Sequence, residues 1–321
     1  GVTGLRAFVT PMIARPFDWK IFELTPELSL DHTIYRLNGT PPGQDSNATR
    51  TAPIMSLDLS TSFERYTHGS SWLMTLEPRF LYTYIPFRNQ DQLPVFDTVD
   101  PDLNMVQLFR KNRFVGHDRI ADTNQVALGL TSRLIGADDG VEFLRLTMGQ
   151  LQFLSAQEVT LPGEMPDNST SSDYIAEFNA RLASRWSVNA GFQWNSNDGE
   201  IRRTNTAIRY QRDARRIANL GYRFRRDSLE EIDVSVGWPI GGRWNFVGRY
   251  NYSLLSNKPL ERFVALEYET CCWAIRGTWR RNIVNRAGDS DTSVGFQVVL
   301  KGLSDPGTAA EDLLGRGILT N

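Results

Sequence analysis

The chain has 321 residues, and its 35 Lys and Arg against 37 Asp and Glu give a formal net charge of −2. Because the chain is nearly neutral, no global field would recruit nucleic acid or an anionic surface, which disfavours nucleic-acid-binding modules. The mean hydropathy of −0.36 excludes a bundle of membrane helices. A transmembrane β-barrel is not excluded, because only alternate residues of its strands face lipid.

Alternation of apolar and polar residues predicts strands along almost the whole chain. The predicted strands are residues 5–14, 19–37, 54–66, 72–85, 125–135, 142–154, 174–183, 186–195, 201–211, 217–225, 230–238 and 244–252, followed by three strands within residues 260–303. These are about fifteen strands, each near the nine to eleven residues that a tilted membrane strand needs. The 17 Phe, 10 Tyr and 8 Trp are typical of a barrel with aromatic girdles, and also of a large soluble antiparallel protein.

The predicted connections alternate in length along the chain. Residues 38–53, 86–122 and 155–173 form long loops, whereas tight turns are predicted at residues 15–18, around Pro16, and at residues 67–70. In a meander, alternate connections lie at opposite ends of the strands. Long loops at one end and tight turns at the other are typical of outer-membrane barrels, whose long loops are extracellular and short turns periplasmic.

From residue 201 onwards, charged residues share one strand face and large apolar residues share the other. We expect the charged face to line a wet lumen, because a charge facing hydrocarbon costs about 2 to 4 kcal/mol at the bilayer midplane. The predicted lumen-facing residues are Arg209, Arg223, Glu231, Asp233, Arg249, Glu267 and Arg276. The alternative is an antiparallel sheet with one face in bulk solvent, but sheets beyond about ten strands usually close or split. The sequence therefore predicts an all-β, antiparallel up-and-down transmembrane β-barrel.

Residues that could carry catalysis or bind metal are sparse. His32, His68 and His117 are far apart in the sequence and show no metal-ligand spacing. The sequence contains neither a nucleophile elbow nor a phosphate-binding glycine loop. We expect no enzyme activity, no metal and no cofactor.

The two cysteines of the chain, Cys271 and Cys272, are adjacent. Adjacent cysteines bond each other only through a strained ring, so each is expected either to pair with a cysteine outside this chain or to stay reduced. The chain begins at Gly1 without a visible signal peptide, which indicates a mature protein or a fragment.

Two groups of motifs are distinctive. The first is ETCCWAIR at residues 269–276, GF at 295–296 and LKGL at 300–303. The second is YTYIPFRNQ at residues 82–90 with FRKNRF, GHDRIA and NQV between residues 109 and 126. The first group resembles the C-terminal end, and the second the long central loop, of one family, the LptD lipopolysaccharide (LPS) assembly proteins of Gram-negative outer membranes. Together the motifs extend over residues 82–303, which is most of the chain.

The resemblance implies a translocon of the cell outer membrane. In this family a very large barrel of roughly 26 strands, plugged by the lipoprotein LptE, receives LPS from a periplasmic LptA bridge. It releases the lipid sideways into the outer leaflet without covalent chemistry. The resemblance implies that residues 1–303 are the C-terminal portion of this barrel and that residues 304–321 are a periplasmic tail. An N-terminal jellyroll of the same protein would then be a partner.

The resemblance also implies roles for particular residues. The last barrel strand would form a lateral gate, on which the apolar-face residues are Thr292, Val294, Phe296, Val298 and Leu300. Cys271 and Cys272 would each form a disulfide bond with the N-terminal region. The alternatives are a passive outer-membrane porin, which has the same strand pattern, and a soluble all-β binding protein.

Overall fold

The computed structural model describes residues 2–40, 45–67, 71–166, 168–284 and 288–300. The described residues form eighteen strand segments and one short helix. The segments are β1 (Thr3–Val9), β2 (Met12–Ala14), β3 (Phe17–Trp19), β4 (Phe22–Asn38), β5 (Asn47–Ser60), β6 (Phe63–Tyr66), β7 (Trp72–Ile85), α1 (Met105–Leu108), β8 (Thr123–Gly136), β9 (Glu142–Phe153), β10 (Tyr174–Leu182), β11 (Trp186–Asn195), β12 (Glu200–Asp213), β13 (Arg216–Arg225), β14 (Leu229–Gly241), β15 (Trp244–Ser253), β16 (Lys258–Glu269), β17 (Trp273–Ile283) and β18 (Ser290–Leu300). Within this part of the chain, no helix is long and apolar enough to cross a membrane.

The chain divides into two compact units. The first consists mainly of residues 2–141 and 145–176, and the second mainly of residues 177–194 and 198–300. In the first unit β1, β2 and β3 all pair with β4, β4 pairs with β5, and both β5 and β6 pair with β7, which pairs with β8. Segments β1 to β3 are therefore one interrupted strand, as are β5 and β6. The eighteen segments correspond to fifteen strands, the number predicted.

Proline explains where the first strand is interrupted. Pro11 lies between β1 and β2, and Pro16 lies between β2 and β3, where neither can donate a ladder hydrogen bond. The turn predicted around Pro16 is wrong, because Arg15 N still donates to Pro26 O at 3.2 Å. The chain reverses between Trp19 and Phe22 instead.

The structure confirms some of the predicted connections and corrects others. The loop predicted at residues 38–53 is too long, because β5 begins at Asn47 and pairs with β4 from that residue onwards. Residues 41–44 of this connection, and residues 68–70 of the next predicted turn, including His68, lie outside the described residues. The long loop of residues 86–122 is confirmed, and it contains α1 and an isolated bridge between Val99 and Val115.

The second unit is a regular meander. From β12 to β18, each strand pairs antiparallel with the next one in the sequence. Turns of two or three residues join β12 to β13, β14 to β15 and β16 to β17. The all-β, antiparallel up-and-down architecture is confirmed. The predicted tail of residues 304–321 lies outside the described residues.

Candidate functional site

One face of β12 to β17, which we call the polar face, carries cross-strand ion pairs between β13 and β17. Each pair joins neighbouring strands, so positive and negative side chains alternate across the sheet. The pairs are Arg223 with Glu231 at 2.9 Å, Arg249 with Asp233 at 2.6 Å and with Glu261 at 3.4 Å, Arg280 with Glu261 at 2.7 Å, and Arg276 with Glu267.

The polar face contains the seven residues that the sequence groups together. Six of them form the ion pairs described above, and the seventh, Arg209, lies opposite Asn219 in the β12–β13 ladder. The buried Nε of Arg209 makes no hydrogen bond within the described part of the chain. Asp233 is 7% exposed, and such buried charges are stabilised when they are paired. The face offers many hydrogen-bonding groups while its charges largely cancel.

Large apolar residues occupy the opposite face of the second unit, the apolar face. Close to the short turns, six rings form what we call the aromatic belt. Its members form two groups of three contacting rings. In the first, the ring centroids are 4.9 Å apart for Trp186–Tyr210 and 6.3 Å apart for Tyr210–Trp238. In the second, they are 5.0 Å apart for Trp244–Tyr268 and 5.7 Å apart for Tyr268–Trp273. Belts of Trp and Tyr are found at membrane–water interfaces, where one part of each ring is apolar and one part is wet.

In the first unit, the long loop of residues 86–122 is anchored by a buried carboxylate. The Asp118 side chain is fully buried and accepts hydrogen bonds from the guanidinium of Arg6 at 2.6 Å and from the backbone N–H groups of Phe96 and Asp97 at 2.7 and 2.8 Å. The Tyr35 hydroxyl donates to the same carboxylate at 3.4 Å. Two strands, β1 and β4, therefore hold this loop.

Arg50 makes a second anchor from β5. Its Nη2 donates to Asp31 at 2.7 Å and to the backbone carbonyl of His117 at 3.0 Å, and its Nη1 donates to Gln90 at 3.1 Å. The imidazole of His117 also stacks on Phe8 at 3.6 Å. These contacts satisfy charged and polar groups that burial would otherwise penalise.

Two glycines make room for the helix of this loop. A Cβ at Gly149 would lie 2.3 Å from Leu108, and one at Gly129 would lie 2.5 Å from the Phe109 ring. Leu108 is fully buried in a cluster that includes Leu81 and other strand residues. At the other end of α1, the side chain of Asn104 caps two backbone N–H groups at 2.9 Å.

The surroundings of the loop raise the pKa of some of its charged groups and lower the pKa of others. Hydrogen bonding to the Arg6 guanidinium holds the pKa of Asp97 well below its usual range. Burial raises the pKa of Asp100, although the nearby Arg113 opposes this. Burial likewise lowers the pKa of Arg119, which donates to the Leu93 carbonyl at 2.8 Å.

The sequence did not identify Arg6, Tyr35, Arg50 or Asp118 as a group. Asp118 lies in the GHDRIA motif, but its partners are up to 112 residues away in the chain. The alternation of side chains along the strands could have pointed to three of these residues. Arg6, Tyr35 and Arg50 are polar residues on strands whose opposite face is largely apolar.

The structure places the remaining predicted residues at strand ends and on β18. Cys271 and Cys272 are exposed in the turn between β16 and β17, with their Sγ atoms 2.8 Å apart. The predicted gate residues share the apolar face of β18, on which Val294 and Phe296 are 81% and 73% exposed.

Comparison with known proteins identifies the family. The family model described as LptD, LPS transport system D, matches residues 1–244. LPS-assembly protein LptD of Nitrosococcus oceani is 40% identical over 318 residues, which cover 98% of this chain and 43% of that protein. The protein of the same name from Aromatoleum aromaticum is 38% identical over 317 residues, covering 98% of this chain and 40% of that protein.

The solved structures are less similar to this chain than the sequence relatives are. The siderophore receptor PirA from Acinetobacter baumannii aligns over 94% of this chain and 57% of its own length, with a TM-score of 0.39 and 9% identity. The chain spans about two fifths of the length of the curated relatives it matches. The family match covers most of the chain, and the chain therefore belongs to the LptD family of LPS-assembly proteins and is an antiparallel β-barrel protein of the outer membrane.

Proposed function

We propose that this chain is the C-terminal barrel portion of an outer-membrane translocon that inserts LPS into the outer leaflet. The observation that carries the proposal is the match to the LPS transport family over residues 1–244. This family is one of transport and assembly rather than an enzyme family. The match does not favour the passive porin or the soluble binding protein.

The polar face would line the lumen and contact the LptE plug. Its compensated ion pairs, such as Arg249 with Asp233, support this role, because they present donors and acceptors without a strong net field. A partner that fills the lumen can exchange hydrogen bonds with such a wall, and the sugar and phosphate groups of LPS can do the same.

Strand β18 would form one side of the lateral gate. It pairs with β17 from Trp273↔Leu300 to Ile283↔Ser290, and its other edge would meet the first strand of the complete barrel. The high exposure of Val294 and Phe296 supports a surface that lipid contacts. A seam that opens must break few contacts, which suits an edge where two strands meet weakly.

The cysteines would attach the barrel to the periplasmic region. Cys271 and Cys272 lie in a short turn, at the end of the strands that is periplasmic in outer-membrane barrels. Thiols pair in that oxidising compartment. Disulfide bonds there would hold the N-terminal jellyroll, and through it the LptA bridge, beneath the barrel.

A covalent staple across the proposed gate tests this function. We expect a cross-link between β18 and the first barrel strand of the full-length protein to abolish delivery of LPS to the cell surface. The matched control joins Asn282 to Asp291, which already face each other in the β17–β18 ladder. Normal surface LPS in cells whose gate staple is verified by mass spectrometry would contradict the proposal.

Ion conductance separates the translocon from the porin. A plugged translocon reconstituted in liposomes is expected to pass few ions, whereas a porin conducts steadily. Steady conductance by the intact protein with its partner bound would favour the porin.

A further inference from the structure

A hollow interrupts the apolar face of β15 to β17 beside the aromatic belt. Its volume is about 420 Å³, and it is lined by Trp244, Leu266, Tyr268, Ile275 and Gly277. Almost all of this lining is carbon. The hollow therefore suits a hydrocarbon chain rather than a polar solute.

The hollow exists because residue 277 has no side chain. Gly277 lies opposite Leu266 in the β16–β17 ladder, and a Cβ added to it would meet no atom within 4 Å. Gly248 occupies a comparable position on the same face, but there the Phe246 ring lies 3.0 Å from the added Cβ and covers the glycine. The ring of Phe246 therefore fills the space above Gly248, whereas the space above Gly277 stays open.

A cation and a phenol stand at the rim of the hollow. Arg243 lies in the short turn between β14 and β15, and its Nη1 donates to the Tyr268 hydroxyl oxygen at 3.3 Å. Among the described residues Arg243 forms no ion pair, and the nearby Glu269 pairs with Arg215 at 3.0 Å instead. The guanidinium keeps further N–H donors, and the phenol keeps its own O–H donor.

We propose that this hollow and its rim bind an anionic glycerophospholipid of the inner, periplasmic leaflet of the outer membrane. One acyl chain lies over Gly277, and the phosphate accepts hydrogen bonds from Arg243 and Tyr268. The aromatic belt sets the depth, because Trp and Tyr mark the interface, and the short turns put this interface on the periplasmic side. The site requires the outer-membrane location and the periplasmic orientation of the short turns, and it goes beyond LPS transport.

Native mass spectrometry of the full-length protein in detergent tests the site with two probes, dioleoyl-phosphatidylglycerol and dioleoyl-phosphatidylcholine. The wild type is expected to retain phosphatidylglycerol in preference. Arg243→Gln should weaken phosphatidylglycerol binding about fivefold, the effect of one basic side chain at an anionic lipid surface, while Arg243→Lys keeps most of it. Gly277→Leu should reduce the binding of both lipids, because leucine fills the hollow.

Matched controls lie on the same face. Arg262 lies over the Tyr250 ring at 5.9 Å, away from the hollow, so Arg262→Gln removes an equivalent charge. Val264→Leu enlarges an apolar residue of the same strand. Neither variant should change lipid retention. The Arg243 variants alter an exposed turn and leave the ladders intact, so they decide the outcome even if Gly277→Leu folds poorly.

Two results would overturn the proposal. The first is unchanged phosphatidylglycerol retention in Arg243→Gln, and the second is equal loss in Arg243→Gln and Arg262→Gln, which would indicate general attraction to charge. Surface LPS is measured in parallel in cells depleted of the full-length protein. Undiminished surface LPS in those cells would count against the proposed function only, because lipid retention is measured on the purified protein.

Discussion

Arg6 and Asp118 are 112 residues apart in the sequence, and an ion pair of 2.6 Å joins their side chains. The carboxylate of Asp118 is fully buried, while the Arg6 side chain is 17% exposed. Asp118 also accepts two backbone N–H groups from its own loop. The Asp118 carboxylate therefore orders part of the long loop and at the same time attaches that loop to β1.

Asp118→Asn is expected to release the long loop from the strands. The amide keeps the volume but removes the charge facing Arg6 and points N–H groups at the donors of Phe96 and Asp97. Losing one partner of a buried pair costs about 3–5 kcal/mol. Limited proteolysis of the folded protein should show much faster cleavage within residues 86–122. Asp91→Asn, on an exposed part of the loop, is the control, and equal cleavage rates in the two variants would contradict the anchor.

Asp97 should make loop protection dependent on pH. Because its folded pKa is lowered by Arg6, the Arg6–Asp97 contact stabilises the loop above the ordinary pKa of an aspartate. That stability is lost as the pH falls through the lowered folded pKa. Proteolysis with an acid-stable protease should therefore separate wild type from Asp97→Asn at pH 5, and the difference should shrink as the pH falls below 3.8. A difference in cleavage rate that increases as the pH falls would contradict this prediction.

Gly149→Ala should displace the helix of the long loop. The added Cβ would lie 2.3 Å from Leu108 and 2.7 Å from the backbone oxygen of Leu128, and the latter cannot move without disturbing a strand. Overpacking of this kind costs about 1–3 kcal/mol. The measurement is the temperature at which the folded band disappears on a semi-native gel. Gly191→Ala, whose Cβ would lie 4.0 Å from its nearest neighbour, should leave that temperature unchanged.

Asp233→Ala should destabilise the polar face by leaving Arg249 with only Glu261, at 3.4 Å. We expect a loss of about 1.5–3 kcal/mol, the range for a hydrogen bond to a charged group. The double variant with Arg249→Ala should lose less than the sum of the single variants. Unfolding in urea, followed by tryptophan fluorescence, measures all three. Strict additivity would mean that the pair contributes no coupling energy.

Replacing Cys271 and Cys272 together by serine in the full-length protein should abolish the mobility difference between reducing and non-reducing gels. The outer-membrane barrier should weaken, which uptake of a large antibiotic would report. Either single replacement is expected to retain the mobility difference, because one bond suffices to link the two regions. An unchanged difference in the double variant would show that these residues are not the disulfide anchors.

Strand periodicity predicted the second unit well, because alternation sets which face each side chain occupies. The pairing of Arg223 with Glu231 follows from that parity and from the turn lengths. The first unit was harder to predict. Pro16 indicated a turn by its residue type, but the antiparallel ladder with β4 continues past it.

The contacts of the long loop could not be predicted from local patterns. Asp118 and Arg50 are ordinary charged residues in the sequence, and only the folded chain brings them next to Arg6 and Asp31. The packing of Leu108 on Gly149 could not be predicted either, because a glycine in a strand is usually read as a position that weakens the strand. The roles of these residues depend on contacts with residues that are far away in the sequence.

The long loop also constrains the order of folding. β7 and β8 pair from Ile85↔Thr123 onwards, so the loop of residues 86–122 leaves and rejoins the sheet at one place. Bonds from Arg6 to Asp118 close a segment of more than a hundred residues, and contacts of such separation form slowly. We therefore expect docking of the loop to be a late step, with Asp118 hydrated until the Arg6 side chain of β1 reaches it.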